Sequence, residues 1–189
     1  LDAIAAQKME AETAMTARAQ QGDREAFTEL VRSHYTGVVN VVYRMCGDAR
    51  LAEDAAQETF IKAWLNLASF RTGTSMRSWL YRIGVNAALD VLRRERGASA
   101  SLEPTWLADP AAGPEAVLLK RERNAAVQRA ILSLTEANRA ILVLREYGGL
   151  SYAEIAATLD IPAGTVMSRL NYARTRLREI LTPEFGEQI

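Results

Sequence analysis

The chain has 189 residues, 49% of them hydrophobic and 24% charged, a balance expected of a soluble globular protein with room for one large domain or two small ones. Its 23 basic and 23 acidic residues cancel, so any attraction for nucleic acid has to be local rather than global. With one cysteine, Cys46, and one histidine, His34, an internal disulfide and an ordinary Cys/His zinc site are excluded. The chain also has no apolar run of about 18 residues and no basic-then-apolar leader pattern, so a cytoplasmic protein with no membrane contact of its own, no metal and no cofactor is expected.

Residues 1–15, rich in Ala, Glu and Gln, read as an N-terminal arm, either a frayed helix or disordered. From Thr16 to Arg96 apolar residues recur at intervals of three and four, the helical period, and strand signals are nearly absent. Asp23 before "REAFTEL" and Asp48 before "ARLAEDAAQETF" are N-cap candidates. His34 and Cys46 lie in the mostly apolar helical stretch "SHYTGVVNVVYRMCGD", where core or interface duty is expected before catalysis.

The helix "ARLAEDAAQETFIKAWLNLASF" carries Ala56, Phe60, Ala63, Trp64 and Leu67 on one face, enough to pack inside a domain. A second stripe holds Asp54, Glu58, Ile61 and Leu65, with Gln57 at its margin. A purely solvated face should not include Ile61 and Leu65. A half-acidic, half-apolar stripe suits docking onto a basic amphipathic helix of another protein; the alternative is a helix buried on two sides.

Phe70, Arg71, Thr72, Gly73, Thr74 and Ser75 read as a loop. On the helix that follows, Leu80, Ile83, Ala87 and Val91 form an inner face, and Trp79, Arg82, Asn86 and Arg93 lie along another, with Asp90 among them. Residues 71–96 hold six arginines, Arg77 included, against two acids. Arginines interleaved with Phe70, Trp79 and Tyr81 suit single-stranded DNA, because charge tracks phosphates while rings accept unstacked bases. The competing reading makes these aromatics core, and for Tyr81 core is expected.

Residues 97–114, with three prolines and two glycines, neither continue a helix nor build a core, and read as a linker. Extended, these 18 residues reach roughly 60 Å, close to about 17 base pairs of duplex. Helical pattern resumes at Glu115 and runs to residue 183, leaving a tail of 184–189.

Within "LTEANRAILVLREYGGLSYAEIAATLDIPAGTVMSRLNYARTRLREIL", Gly148–Gly149 stops a first helix, and Ser151 with Glu154 makes the capping box of a second. Asp160–Pro162 makes a turn into a third. There Val166, Leu170, Ala173, Leu177 and Ile180 face inward, opposite Met167, Ser168, Asn171, Tyr172, Thr175 and Arg178, with Arg169 nearer the flank. This is the outline of a helix-turn-helix, in which Thr165 to Tyr172 would read bases and Arg174, Arg176 and Arg178 would hold phosphates. A three-helix packing domain with a polar outer face is the alternative. By itself the motif implies only DNA.

The expected fold is all-α: two small helical domains, residues 16–96 and 115–183, joined by a flexible Pro/Gly/Ala linker, the second a helix-turn-helix. In this order "AEDAAQETFIKAW", "SFRTGTSMRSWLYRIGVNAALDVLRR" and "LSYAEIAATLDIPAGTVMSRLNYARTRLRE" resemble bacterial RNA polymerase sigma factors of the extracytoplasmic-function (ECF, sigma-70 family group 4) type, over roughly residues 20 to 182. The resemblance implies a transcription initiation factor rather than an enzyme. It gives Asp54, Gln57, Glu58 and Ile61, with Leu65 beside them, the docking role on the beta-prime clamp helices of core RNA polymerase. It gives Phe70 to Ser75 and the arginine-bearing helix (Arg77, Trp79, Arg82, Asn86, Arg93) capture of the melted −10 element. The last helix becomes the −35 reader through Thr165, Met167, Ser168, Arg169, Asn171, Tyr172, Arg174 and Arg176, with the beta flap as that module's polymerase contact and an anti-sigma factor as the regulator. Met167 stands where a basic residue is common, and Thr72-Gly73-Thr74 replaces a frequent Gly-Asp-Ser-type loop, so no base preference is implied at either element. Two rivals remain at this point. One is a stand-alone helix-turn-helix regulator. The other is a sigma-mimicking adaptor that binds an anti-sigma protein; it should lack one or both arginine faces, which this sequence keeps.

Overall fold

The computed structural model describes residues 2–71, 75–97 and 114–186. Thr72, Gly73 and Thr74 and most of the expected linker, residues 98–113, lie outside the described residues. Every regular element among the described residues is helical: α1 (Asp2–Gln20), α2 (Arg24–Cys46), α3 (Ala49–Asn66), a 3-10 turn (Leu67–Ser69), α4 (Met76–Gly97), α5 (Pro114–Leu132), α6 (Glu136–Glu146), α7 (Tyr152–Leu159) and α8 (Ala163–Phe185).

Local chemistry sets the breaks. Asp23 accepts from the backbone N–H groups of Glu25 and Ala26 at 3.0 and 3.1 Å, which starts α2. It also takes the Arg18 guanidinium at 2.6 Å, tying the end of α1 to the start of α2. The Ala26 N–H, and after it Arg18, hold the Asp23 carboxyl below the usual carboxylate range. Gly47 ends α2 in a left-handed conformation, φ 77°, and Asp48 accepts from Leu51 N–H at 2.9 Å to start α3. The expected arm boundary after residue 15 does not interrupt the chain: α1 runs straight through it, because no breaker stands between Ala14 and Gln20. Gln20 then donates to the carbonyls of Leu67 and Phe70 at 3.0 and 2.9 Å, fixing α1 against the exit of α3.

Small side chains let α3, α4 and α2 pack closely. Ala52, Ala55, Ala56, Thr59 and Ala63 are buried on α3, and a methyl at Gly84 of α4 would stand 3.3 Å from Val42 and 3.5 Å from Thr59. In the second module α8 is the spine against which α5, α6 and α7 rest. Its residues Val166, Leu170 and Ala173 are fully buried, and Ile141, Leu144, Leu150 and Ile155 complete the core around them.

The two modules also touch each other. Contacts join α2 to α5 and α6, and α4 to α6 and α7, and one apolar cluster runs across the boundary. Leu132 lies where a methyl on Gly47 would fall, and Tyr81 approaches Gly148 so closely that a methyl there would stand 3.0 Å from its ring.

Candidate nucleic-acid and partner interfaces

Three surfaces can be built upward from their residues. The first is on α8. Ser151 Oγ accepts from Glu154 N–H at 3.2 Å while the Glu154 carboxylate accepts from Ser151 N–H at 2.8 Å, so the capping box read from the sequence is present. That N–H holds the Glu154 carboxyl below the usual carboxylate range. Before α7, Arg145 donates to Leu150 O at 2.8 Å and lies over the Tyr152 ring at 5.1 Å, stiffening the Gly148–Gly149 turn. After it Asp160 adopts the left-handed region, φ 54°, and Pro162 caps α8. The result is a helix-turn-helix whose second helix exposes Met167, Ser168, Asn171, Tyr172, Arg174, Thr175, Arg176 and Arg178, with Thr165 and Arg169 half-buried at the flank. Arg174 is held at 2.6 Å by Glu146 of α6, which raises its affinity for its proton, and Arg176 pairs with Glu179 at 3.0 Å.

The second surface is on α4. Phe70 is buried and meets the Trp79 ring at 5.1 Å between centroids in a tilted pair, so the loop's first residue serves as the floor under Trp79. Tyr81 is core, as the sequence suggested. Arg71, Ser75, Arg82, Asn86 and Arg93 are exposed; Arg77 is half-buried, and its guanidinium stands 3.8 Å from Glu154 of α7. Ser75, Ser78, Trp79 and Arg82 face Ala153, Glu154, Ala157 and Thr158 of α7 across a cavity of about 360 Å³.

The third surface is on α3. Asp54 and Gln57 are exposed, and Ile61 and Leu65 keep 61% and 73% of their surface in solvent. Glu58 is placed differently. Its carboxylate takes Lys62 at 2.7 Å and Arg94 of α4 at 2.6 Å, and Lys62, with Arg94 after it, holds it below the usual carboxylate range. It leans toward α4 rather than standing in the open stripe. Sequence reasoning missed Tyr35 of α2, which is exposed and stacks on Phe60 of α3 with ring centroids 6.1 Å apart.

The sequence of residues 30–98 matches the family model of Sigma-70 region 2, and that of residues 124–177 matches Sigma-70, region 4. The chain is 37% identical over 180 residues to the RNA polymerase sigma-H factor of Pseudomonas aeruginosa, a match covering 90% of this chain and 93% of that one. The chain belongs to the ECF RNA polymerase sigma factors. The sigma factor is also 38% identical over 176 residues to the ECF RNA polymerase sigma-E factor of Escherichia coli K12, covering 88% of this chain and 92% of that one. With SigW of Bacillus subtilis it shares 32% over 172 residues, 86% and 92% of the two chains. Among solved structures it is similar to CnrH in complex with the cytosolic domain of CnrY, with a TM-score of 0.71, 27% identity, and coverage of 92% and 99%. It is also similar to RpoE in complex with the anti-sigma factor NepR from Bartonella quintana, with a TM-score of 0.68, 25% identity, and coverage of 82% and 96%.

The sigma factor's α3 stripe, α4 face and α8 face are thus separate surfaces on one chain, two of them rich in arginine. Two polar residues at the module boundary, Gln128 and Arg139, escaped the sequence reading although they are almost fully buried. Their signal was present: Arg139 stands three and four residues before the core residues Leu142 and Val143, and Gln128 three before Ile131, so each lies on the apolar side of its helix.

Proposed function

We propose that the sigma factor docks on the beta-prime clamp helices of core RNA polymerase through Asp54, Gln57, Ile61 and Leu65, while the module of residues 115–183 meets the beta flap. In the same reading residues 16–96 form the docking and −10 module and residues 97–114 the tether. Arg71 to Ser75, Arg77, Trp79, Arg82, Asn86 and Arg93 receive the melted −10 strand, with the buried Phe70 supporting Trp79 from beneath, and Thr165 to Tyr172 with Arg174 and Arg176 read the −35 duplex. The observation that carries it is the α3 stripe: two large aliphatic side chains stand in solvent beside two polar ones, on a helix whose other side is packed. Unstacking a base costs a few kcal/mol, which a pocket offsets in part, so binding of the separated strand contributes to opening.

Charge neutrality fits this division of labour. Local arginine faces bind promoter DNA weakly alone and adequately once polymerase supplies most of the positive field. Because RpoE is seen in complex with the anti-sigma factor NepR, and CnrH in complex with the cytosolic domain of CnrY, an anti-sigma factor is proposed here too. Action on polymerase and chromosome places the protein in the cytoplasm, and no helix among the described residues is long and apolar enough to cross a membrane. The test is transcription from a genomic library by purified core polymerase with and without the protein: new RNA starts are expected with it, and identical starts in both reactions refute the reading.

A further inference from the structure

The open space between α4 and α7, about 360 Å³, is large enough for a small organic molecule. It stays open because its α7 wall is built from Ala153 and Ala157, which carry one methyl each. Two hydroxyls in its lining lack partners. Thr158 is 5% exposed and Ser78 6%, and neither Thr158 Oγ1 nor Ser78 Oγ makes a hydrogen bond. A buried hydroxyl left in that state costs about 1–3 kcal/mol. A helical threonine can satisfy itself on the carbonyl four residues back, as Thr28 does on Arg24 O at 2.9 Å and Thr59 on Ala55 O at 2.6 Å. Thr158 forgoes that bond. Ser78 lies near the Glu154 carboxylate without completing one. Rotation about χ1, between staggered wells, is all that either hydroxyl needs to meet a guest.

Two charges and a ring complete the lining. Glu154 is oriented by its own cap, with Oε2 accepting from Ser151 N–H at 2.8 Å. Its Oε1 stands 3.8 Å from Arg77, an ion pair too long for a hydrogen bond, so lone pairs remain to accept one. Arg82 is exposed, and no carboxylate among the described residues pairs with it, whereas Arg93 and Arg94 of the same helix pair with Asp90 and Glu58. Trp79, half-buried on its Phe70 floor, supplies a flat aromatic surface. A ring to stack on, a cation, an acceptor and two hydroxyls are the contacts that a base, a phosphate, an amino group and a sugar require.

We propose that this cleft binds a free nucleoside monophosphate with an amino-bearing base: the base stacks on Trp79, the phosphate meets Arg82, the amino group donates to Glu154 Oε1, and the sugar hydroxyls engage Ser78 and Thr158. Both α4 and α7 contribute contacts, and the site does not depend on what either helix reads in DNA. A nucleic-acid strand offers the same base and phosphate, but a strand lying along α4 has no need of the α7 wall.

The test is titration calorimetry of the full chain with AMP. Saturable binding is expected, with Kd below about 1 mM. Adenosine, which lacks the phosphate, and purine riboside monophosphate, which lacks the amino group, should each bind about tenfold more weakly. Arg82→Gln should weaken AMP about tenfold and leave adenosine unchanged, whereas damage to the cleft as a whole would weaken both. Ala157 is exposed on α7, so Ala157→Leu keeps the helix, fills the cleft and should abolish AMP binding at an unchanged unfolding temperature. If that temperature falls, Arg82→Gln decides. Absence of saturable AMP binding overturns the site, as does equal AMP affinity in wild type, Arg82→Gln and Ala157→Leu. A short oligo(dA) separates the two sources of the ligand. Its binding should survive Ala157→Leu; an oligo(dA) that binds more tightly than AMP and is lost together with it in that variant overturns the assignment to a free nucleotide.

Discussion

Replacing Ile61 and Leu65 together by Ala tests the proposed α3 docking surface directly. Fully burying an aliphatic side chain of this size gives about 1.5–3 kcal/mol. Scaled by the fractions now in solvent, 61% and 73%, docking gains about 2–4 kcal/mol from the pair. Alanine keeps one methyl of each, so the expected loss is about 1.5–3 kcal/mol, or roughly 10- to 150-fold in affinity for core polymerase. Alanine favours helix, and both sites are exposed on α3, so thermal unfolding should stay close to wild type. Equilibrium competition for core polymerase against a labelled wild-type chain reads the loss at two salt concentrations. The apolar loss should hardly change with salt, whereas the loss from Asp54→Asn should shrink as salt rises, because it is a charge effect at an exposed position. A double alanine variant that binds core within about threefold of wild type refutes the docking role.

The cap at Asp23 predicts a pH dependence. Its carboxyl titrates lower in the folded protein than in the unfolded chain, so the stability it adds is complete above the unfolded value of about 4 and is lost as pH falls through the folded value. The variant Asp23→Asn keeps a capping oxygen but does not titrate; the gap between its urea midpoint and that of wild type should narrow as pH drops below about 4. Gly47→Ala forces a side chain into φ 77° and into Leu132, and should cost about 2–4 kcal/mol in denaturant unfolding, against about 1–2 kcal/mol if the modules stood apart and only the backbone term applied. The Cys46 thiol is buried and pushed up to about 12 by that burial, so a thiol reagent at about pH 8 should leave the native protein unmodified and react at once in denaturant; fast native labelling would contradict the packing.

Features that depend on nearest neighbours along the chain were legible in the sequence. Asp23, Asp48 and the Ser151–Glu154 box start helices because a side-chain oxygen reaches an N–H two or three residues away, a distance that sequence spacing already states. The inward stripe of α8 from Val166 to Leu177, and Tyr81 as core, followed from helical period and side-chain size. So did the exposure of Ile61 and Leu65, although nothing local separated Glu58 from the stripe they belong to. Lys62 is a neighbour on the same helix, but Arg94 comes from α4, and only the crossing of the two helices brings it to 2.6 Å. Arg174 is the same case on α8, where Glu146 from α6 holds a guanidinium that spacing alone would leave free.

The sequence by itself determined that this protein is helical, that it divides into two modules and that three surfaces face outward, because periodicity and capping are written within a turn or two of chain. Only the tertiary structure decided which charged groups on those surfaces are already engaged, and that the modules meet over the end of α2. Arg139 reaches Met45 O across 94 residues of sequence. Contacts of that separation depend on how whole helices are placed, and local residue preferences do not encode a placement.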